Sequence, residues 1–114
     1  LLQAKKEDKP MFIDFTGYTC TNCRWMEINV FVDSKVMELF NEFVLVQLFT
    51  DGGENHRDNQ RMEIDRFGTA ALPFYVVLNP DDKELNRFHG MDPNIDKFIK
   101  FLENSLNTFK MEGS

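Results

Sequence analysis

The stretch Met11-Phe12-Ile13-Asp14-Phe15-Thr16-Gly17-Tyr18-Thr19-Cys20-Thr21-Asn22-Cys23-Arg24 decides how this chain folds. Residues 11–15 are a short apolar run of the kind a buried strand carries. One residue is out of character there: Asp14, a carboxylate inside a core strand. Residues 17–21 hold Gly and Thr and predict a turn. From Asn22 the apolar period becomes helical, with Cys23, Met26 and Val30 on one face and Trp25 and Ile28 flanking it. The two cysteines therefore straddle a strand–loop–helix junction.

A Cys-x-x-Cys at a helix start is a chemical device. Backbone N–H groups and the macrodipole favour negative charge at that end, and the thiolate is the attacking form of cysteine. Cys20 is placed to attack a substrate disulfide, and Cys23, one turn on and less exposed, to resolve the mixed disulfide. Arg24 adds a positive charge that pushes the same way. Two plainer readings compete. Half of a structural zinc site would need two further ligands, and the chain offers only His56 and His89. Two buried cysteines can also pack as small hydrophobes.

Three further features surround the pair. Asp14 should point beneath it, where burial would raise its pKa and let it take a proton from Cys23; the alternative is a strand-end carboxylate in water. Glu27, four residues after Cys23, lies one helical turn on and faces either the pair or solvent. Leu72-Pro73 precedes a core strand, where proline is tolerated because it has no N–H to give. A trans bond is the default, whereas a cis bond would expose the Leu72 main chain for pairing with an extended peptide.

Outward from the junction, residues 1–9 are a charged lead-in ending at Pro10. Asp33 or Ser34 can cap a helix over residues 35–41. A second strand is expected over residues 43–49. Residues 51–58 are polar and Gly-containing, a variable loop without the ordered spacing of a calcium site. A short helix over residues 59–67 ends at Gly68, and strands follow over residues 73–78 and 84–89. Asp92-Pro93 supplies an N-cap and a first-position proline. Ile95, Phe98, Ile99, Leu102, Leu106 and Phe109 then repeat at helical spacing. Strands separated by helices need parallel crossovers, and the last two strands form a hairpin. The expected fold is α/β, a central mixed sheet with helices on both faces.

The chain has 114 residues, 42% of them apolar and 12 of them Phe, which suits one domain over residues 1–114 with one core. Its formal charge of −6, without a Lys/Arg-rich tract, argues against nucleic acid as a partner. The apolar runs at residues 43–48 and 74–78 are far short of the ~18 needed to span a bilayer. The chain opens at Leu1 without a methionine, so it is expected to be a fragment of something longer or a processed chain.

The elements Ile13-Asp14-Phe15, Cys20-Thr21-Asn22-Cys23-Arg24, Ala71-Leu72-Pro73-Phe74 and Gly90, in this order and spacing, resemble the thioredoxin superfamily. Asn29-Val30-Phe31-Val32-Asp33-Ser34-Lys35-Val36 and Gly90-Met91-Asp92 are similar to the C-terminal thioredoxin-like domain of DsbD-type thiol:disulfide interchange proteins. The resemblance implies a thioredoxin fold, a cis Pro73, a buried Asp14 and Cys20 as the exposed nucleophile. Asp14 and Glu27 would tune thiol reactivity. It implies electrons arriving from a membrane-embedded partner domain and leaving to disulfide proteins in the periplasm, with the Cys20–Cys23 pair as redox centre and neither metal nor dissociable cofactor. Where thioredoxins carry Trp before the first cysteine, this chain has Thr19 preceded by Tyr18. Tyr18, Thr19, Leu72, Pro73 and Gly90 are the expected substrate-docking rim. Thr21-Asn22 supplies no cation to the thiolate, so a reductant at about −200 to −270 mV is expected rather than a strong oxidant. A soluble cytoplasmic thioredoxin and a redox-inert binding module of the same fold are the alternatives.

Overall fold

The computed structural model describes residues 2–112. Nine elements follow one another: α1 (Leu2–Glu7), β1 (Met11–Thr16), α2 (Thr21–Asn29), α3 (Ser34–Phe40), β2 (Val44–Phe49), α4 (His56–Phe67), β3 (Phe74–Leu78), β4 (Glu84–His89) and α5 (Ile95–Glu112). The four strands form one mixed sheet in the order β2-β1-β3-β4. β1 pairs parallel with β2 across the α2–α3 crossover and antiparallel with β3, and β4 returns from β3 as a hairpin.

β1 is central, and all six of its residues are buried. Side chains alternate across a strand, so Met11, Ile13 and Phe15 join Phe67 of α4 and Ala4 of α1 on one face. Phe12 joins Met26 of α2 and Val30 at its C-cap, Val36 and Leu39 of α3, and Phe98, Phe101 and Leu102 of α5 on the other. Asp14 shares the parity of Phe12, which turns it toward α2.

The structure departs from the sequence reading at several boundaries. The expected lead-in contains helix α1, which buries one residue, Ala4. A single inward side chain leaves no period to read; Leu1 lies outside the described residues. Helix α4 starts at His56, three residues earlier than expected, after Asn55 at φ 65°. Helix α5 starts at Ile95, two residues beyond Pro93, because the Asp92 carboxylate accepts from Asn94 N at 2.9 Å and closes a turn there first. Asp33 does cap α3, its Oδ1 accepting from Lys35 N at 2.9 Å and Val36 N at 3.2 Å.

Candidate active site

The C-terminal end of β1 and the N-terminal end of β3 lie side by side, with Phe15 opposite Phe74. Phe74 in turn faces His89 at the end of β4. The segments after β1, before β3 and after β4 therefore converge at one end of the sheet. This convergence places Tyr18, Thr19, Cys20, Leu72, Pro73 and Gly90 together. The Leu72–Pro73 bond is cis, Gly90 N donates to Pro73 O at 3.0 Å, and Gly90 takes φ 73°.

Cys20 and Cys23 are joined by a disulfide with Cα atoms 5.2 Å apart. Cys20 is the N-cap of α2, in extended backbone at φ −82° and ψ 102°. Its Sγ accepts from Cys23 N at 3.1 Å, and its carbonyl accepts from Arg24 N at 3.2 Å. One free amide of the first helical turn is thus aimed at the sulfur. Cys20 is partly exposed, and Cys23 is buried at 2% exposure. The pair is asymmetric: the first sulfur can meet a partner, and the second is screened.

Beneath α2, Asp14 is 6% exposed, and its Oδ1 has no hydrogen-bond partner. Burial, then the negative charge of Glu27, pushes its pKa from an ordinary 3.8 up to about 7, against the opposing pulls of a Gln47 side-chain hydrogen bond and the Arg24 cation. Tyr75, opposite Asp14 in the β1–β3 register, is pushed upward by burial and by the same carboxylates. Glu27 forms an ion pair with Arg24 at 2.8 Å. Arg24 Nη2 also donates to Thr16 Oγ1 at 2.9 Å, and its guanidinium lies over the Phe49 ring at 5.9 Å. The cation expected to assist the thiolate is committed instead to Glu27, Thr16 and Phe49.

Tyr18 is 58% exposed, yet its ring stacks on Phe49 with centroids 4.1 Å apart. The exposed Asp51 carboxylate accepts from Tyr18 N at 2.8 Å, Thr19 N at 3.1 Å and Thr19 Oγ1 at 2.9 Å. These bonds hold its pKa below the usual carboxylate range. Gly17 lies so close that a Cβ there would meet Asp51 Oδ2 at 2.8 Å and Leu72 Cδ1 at 3.1 Å. Asp51 belongs to the segment read from sequence as a variable loop. The legible signal was its place directly after a core strand, at the end where ligands collect in α/β sheets. His56 bonds locally to Gly53 O at 2.9 Å, and His89 is exposed beside Phe74.

The family described as Thioredoxin-like matches residues 1–80. The thiol:disulfide interchange protein DsbD of Campylobacter jejuni (strain RM1221) is 25% identical over 67 residues, covering 59% of this chain and 12% of the relative. The chain thus matches a small part of that curated relative's length. Among solved structures, a thioredoxin from Thermus thermophilus superposes with a TM-score of 0.80 at 22% identity, covering 99% of this chain and 85% of that one. The oxidised DsbD C-terminal domain of Neisseria meningitidis gives 0.69 at 20% identity, covering 91% and 87%. A mixed sheet with helices on both faces, a disulfide at the first turn of α2 and a family match over residues 1–80 converge on one conclusion: the chain belongs to the thioredoxin-like family and carries the fold of a thiol–disulfide oxidoreductase.

Proposed function

We propose that this domain is a protein-disulfide reductase. Cys20 attacks a substrate disulfide, Cys23 resolves the mixed disulfide, and Asp14 takes the Cys23 proton. The observation that carries this reading is the Cys20 sulfur at the cap of α2, held by the Cys23 amide and bonded to a screened second sulfur. The reduced pair gains a thiolate at residue 20 that the helix end stabilises. When Cys23 attacks, its proton needs a nearby base, and a carboxyl with a pKa of about 7 is matched to that task near neutrality. Glu27 acts through Asp14, raising its basicity. Tyr18, Thr19, Leu72, Pro73 and Gly90 form the rim that receives the substrate backbone. No dissociable cofactor is required.

The likeness to DsbD supports a domain of a larger, membrane-tethered protein, reduced by a membrane-embedded donor and acting on disulfide proteins in the periplasm. The test is reduction of insulin disulfides by dithiothreitol with and without the protein. Wild type accelerates the reaction, Cys20→Ser does not, and Asp14→Asn slows resolution at pH 7 by about a hundredfold, the low end of general-base contributions. Absence of acceleration by wild type sinks the enzymatic reading. Equilibration with glutathione is expected to give a potential in the range of about −200 to −270 mV; one near about −120 mV would reverse the direction of electron flow.

A further inference from the structure

Thr16 is the last residue of β1 and stands opposite Phe49 of β2 in the parallel register. Side chains alternate along a strand, so Thr16 shares the parity of Phe12 and Asp14 and faces α2. It is fully buried, and its Oγ1 accepts from Arg24 Nη2 at 2.9 Å. The Phe49 ring carries the Tyr18 ring at 4.1 Å and the Arg24 guanidinium at 5.9 Å. Residues on both sides of the Cys20–Cys23 segment thus rest on one ring. The ion pair with Glu27 is the third contact of Arg24.

Arg24 follows Cys20, the N-cap of α2, by four positions. Residues i and i+4 share a helix face, and helical side chains lean toward the N-terminus. Left free, this lean carries the Arg24 cation toward the Cys20 sulfur. An opposite charge within about 4–6 Å favours the ionised form of a titrating group, here the thiolate. That thiolate exists only in the reduced pair, so stabilising it makes the pair a weaker reductant. In the structure the cation is spent elsewhere. The Glu27 pair is partly exposed, and exposed pairs of this spacing hold weakly. The charge-assisted bond to the buried Thr16 hydroxyl is the firmer hold.

We infer that Thr16, together with the Phe49 ring, is a positioning residue that holds the Arg24 cation away from the Cys20 thiolate and so keeps the pair a reductant. This inference rests on the reductase reading above. The other charged groups at this end are the carboxylates Asp14 beneath α2, Glu27 on it and Asp51 after β2. His89, at the end of β4, turns its ring to Phe74. Carboxylates disfavour a neighbouring thiolate, so the balance turns on where Arg24 points.

A double-mutant cycle tests the tether. Thr16→Val removes the acceptor and keeps the side-chain shape, while Thr16→Ser keeps the acceptor. Each is made with Arg24 in place and with Arg24→Met. The Cys20 pKa is read in the reduced protein from its ultraviolet thiolate absorbance. The potential is read from exchange with glutathione, in which dithiol and glutathione disulfide give the domain disulfide and two glutathione thiols. Thr16→Val is expected to make Cys20 about tenfold more acidic, the low end of the effect of an opposite charge. The pair should then be less reducing by at most about 30 mV, which is that tenfold for a two-electron couple. Thr16→Ser should match wild type, and in the Arg24→Met background Thr16→Val should shift nothing. Unchanged acidity of Cys20 in folded Thr16→Val overturns the tether, and so does a shift that survives Arg24→Met. Phe49→Leu, run through the same cycle with the same expected direction, decides the matter if Thr16→Val does not fold. The reductase reading fails on a different measurement, a wild-type potential in the range of strong oxidants, so the two failures are distinguishable.

Discussion

Two buried carboxylates set the residue-scale energetics. Asp14 has Gln47 and Arg24 to offset its burial, whereas Glu63 of α4 has neither: it is 0% exposed and both its carboxylate oxygens lack hydrogen bonds. Burial pushes the Glu63 pKa from an ordinary 4.5 up to about 7. The folded state therefore holds this proton more tightly than the unfolded one. Relative to acid conditions, stability is fully retained below about pH 4.5 and is lost as pH rises toward 7. Glu63→Leu should stabilise the domain more at pH 8 than at pH 4, by a difference on the order of 3 kcal/mol. Denaturant unfolding at the two pH values measures it, and equal gains would show that Glu63 is not held protonated. Asp14 was legible in the sequence because a carboxylate interrupts an apolar run. Glu63 was not, because α4 carries only three apolar residues, Met62, Ile64 and Phe67, and Ile64 beside Glu63 is 45% exposed.

Between elements, the segment from Gly17 to Thr19 is fixed by a residue 32 or 33 positions away, through the three bonds to Asp51. Asp51 ties the end of β2 to the start of α2 and so sets where the Cys20 sulfur sits. Its lowered pKa keeps the clamp charged above the ordinary 3.8 and releases it only as pH falls further. Asp51→Ala is expected to reduce the rate of the first attack by about tenfold, since small misplacements of a reacting group are costly. The global unfolding midpoint should move little. An unaltered attack rate in Asp51→Ala would remove Asp51 from the site. The Asp33 cap of α3 was readable because its partners are two and three residues away. The Asp51 bonds were not, because no local rule reaches across 30 residues.

Across the whole molecule, one aromatic cluster joins the sheet to α5 and to the segment between α2 and α3. The fully buried Phe98 ring of α5 lies 5.6 Å from Tyr75, 6.2 Å from Phe12, 5.5 Å from Phe31 and 5.4 Å from Phe88. Phe98→Ala should destabilise the domain by about 3–5 kcal/mol, from lost burial and the cavity left behind. Chemical denaturation checks it; a loss under about 1 kcal/mol would mean that the helix repacks without cost.

The sequence by itself determined the alternation of strands and helices, the parallel crossover, the hairpin and the placing of Cys20 and Cys23 at a helix start. All of these rest on apolar period, caps and turn residues acting over a few positions. Only the tertiary structure decided that Arg24 is spent on Glu27 and Thr16, that Asp51 holds the loop before Cys20, and that Glu63 is buried without a partner. Each depends on which side chains distant in the chain meet when the layers close, and packing across layers leaves no local pattern to read.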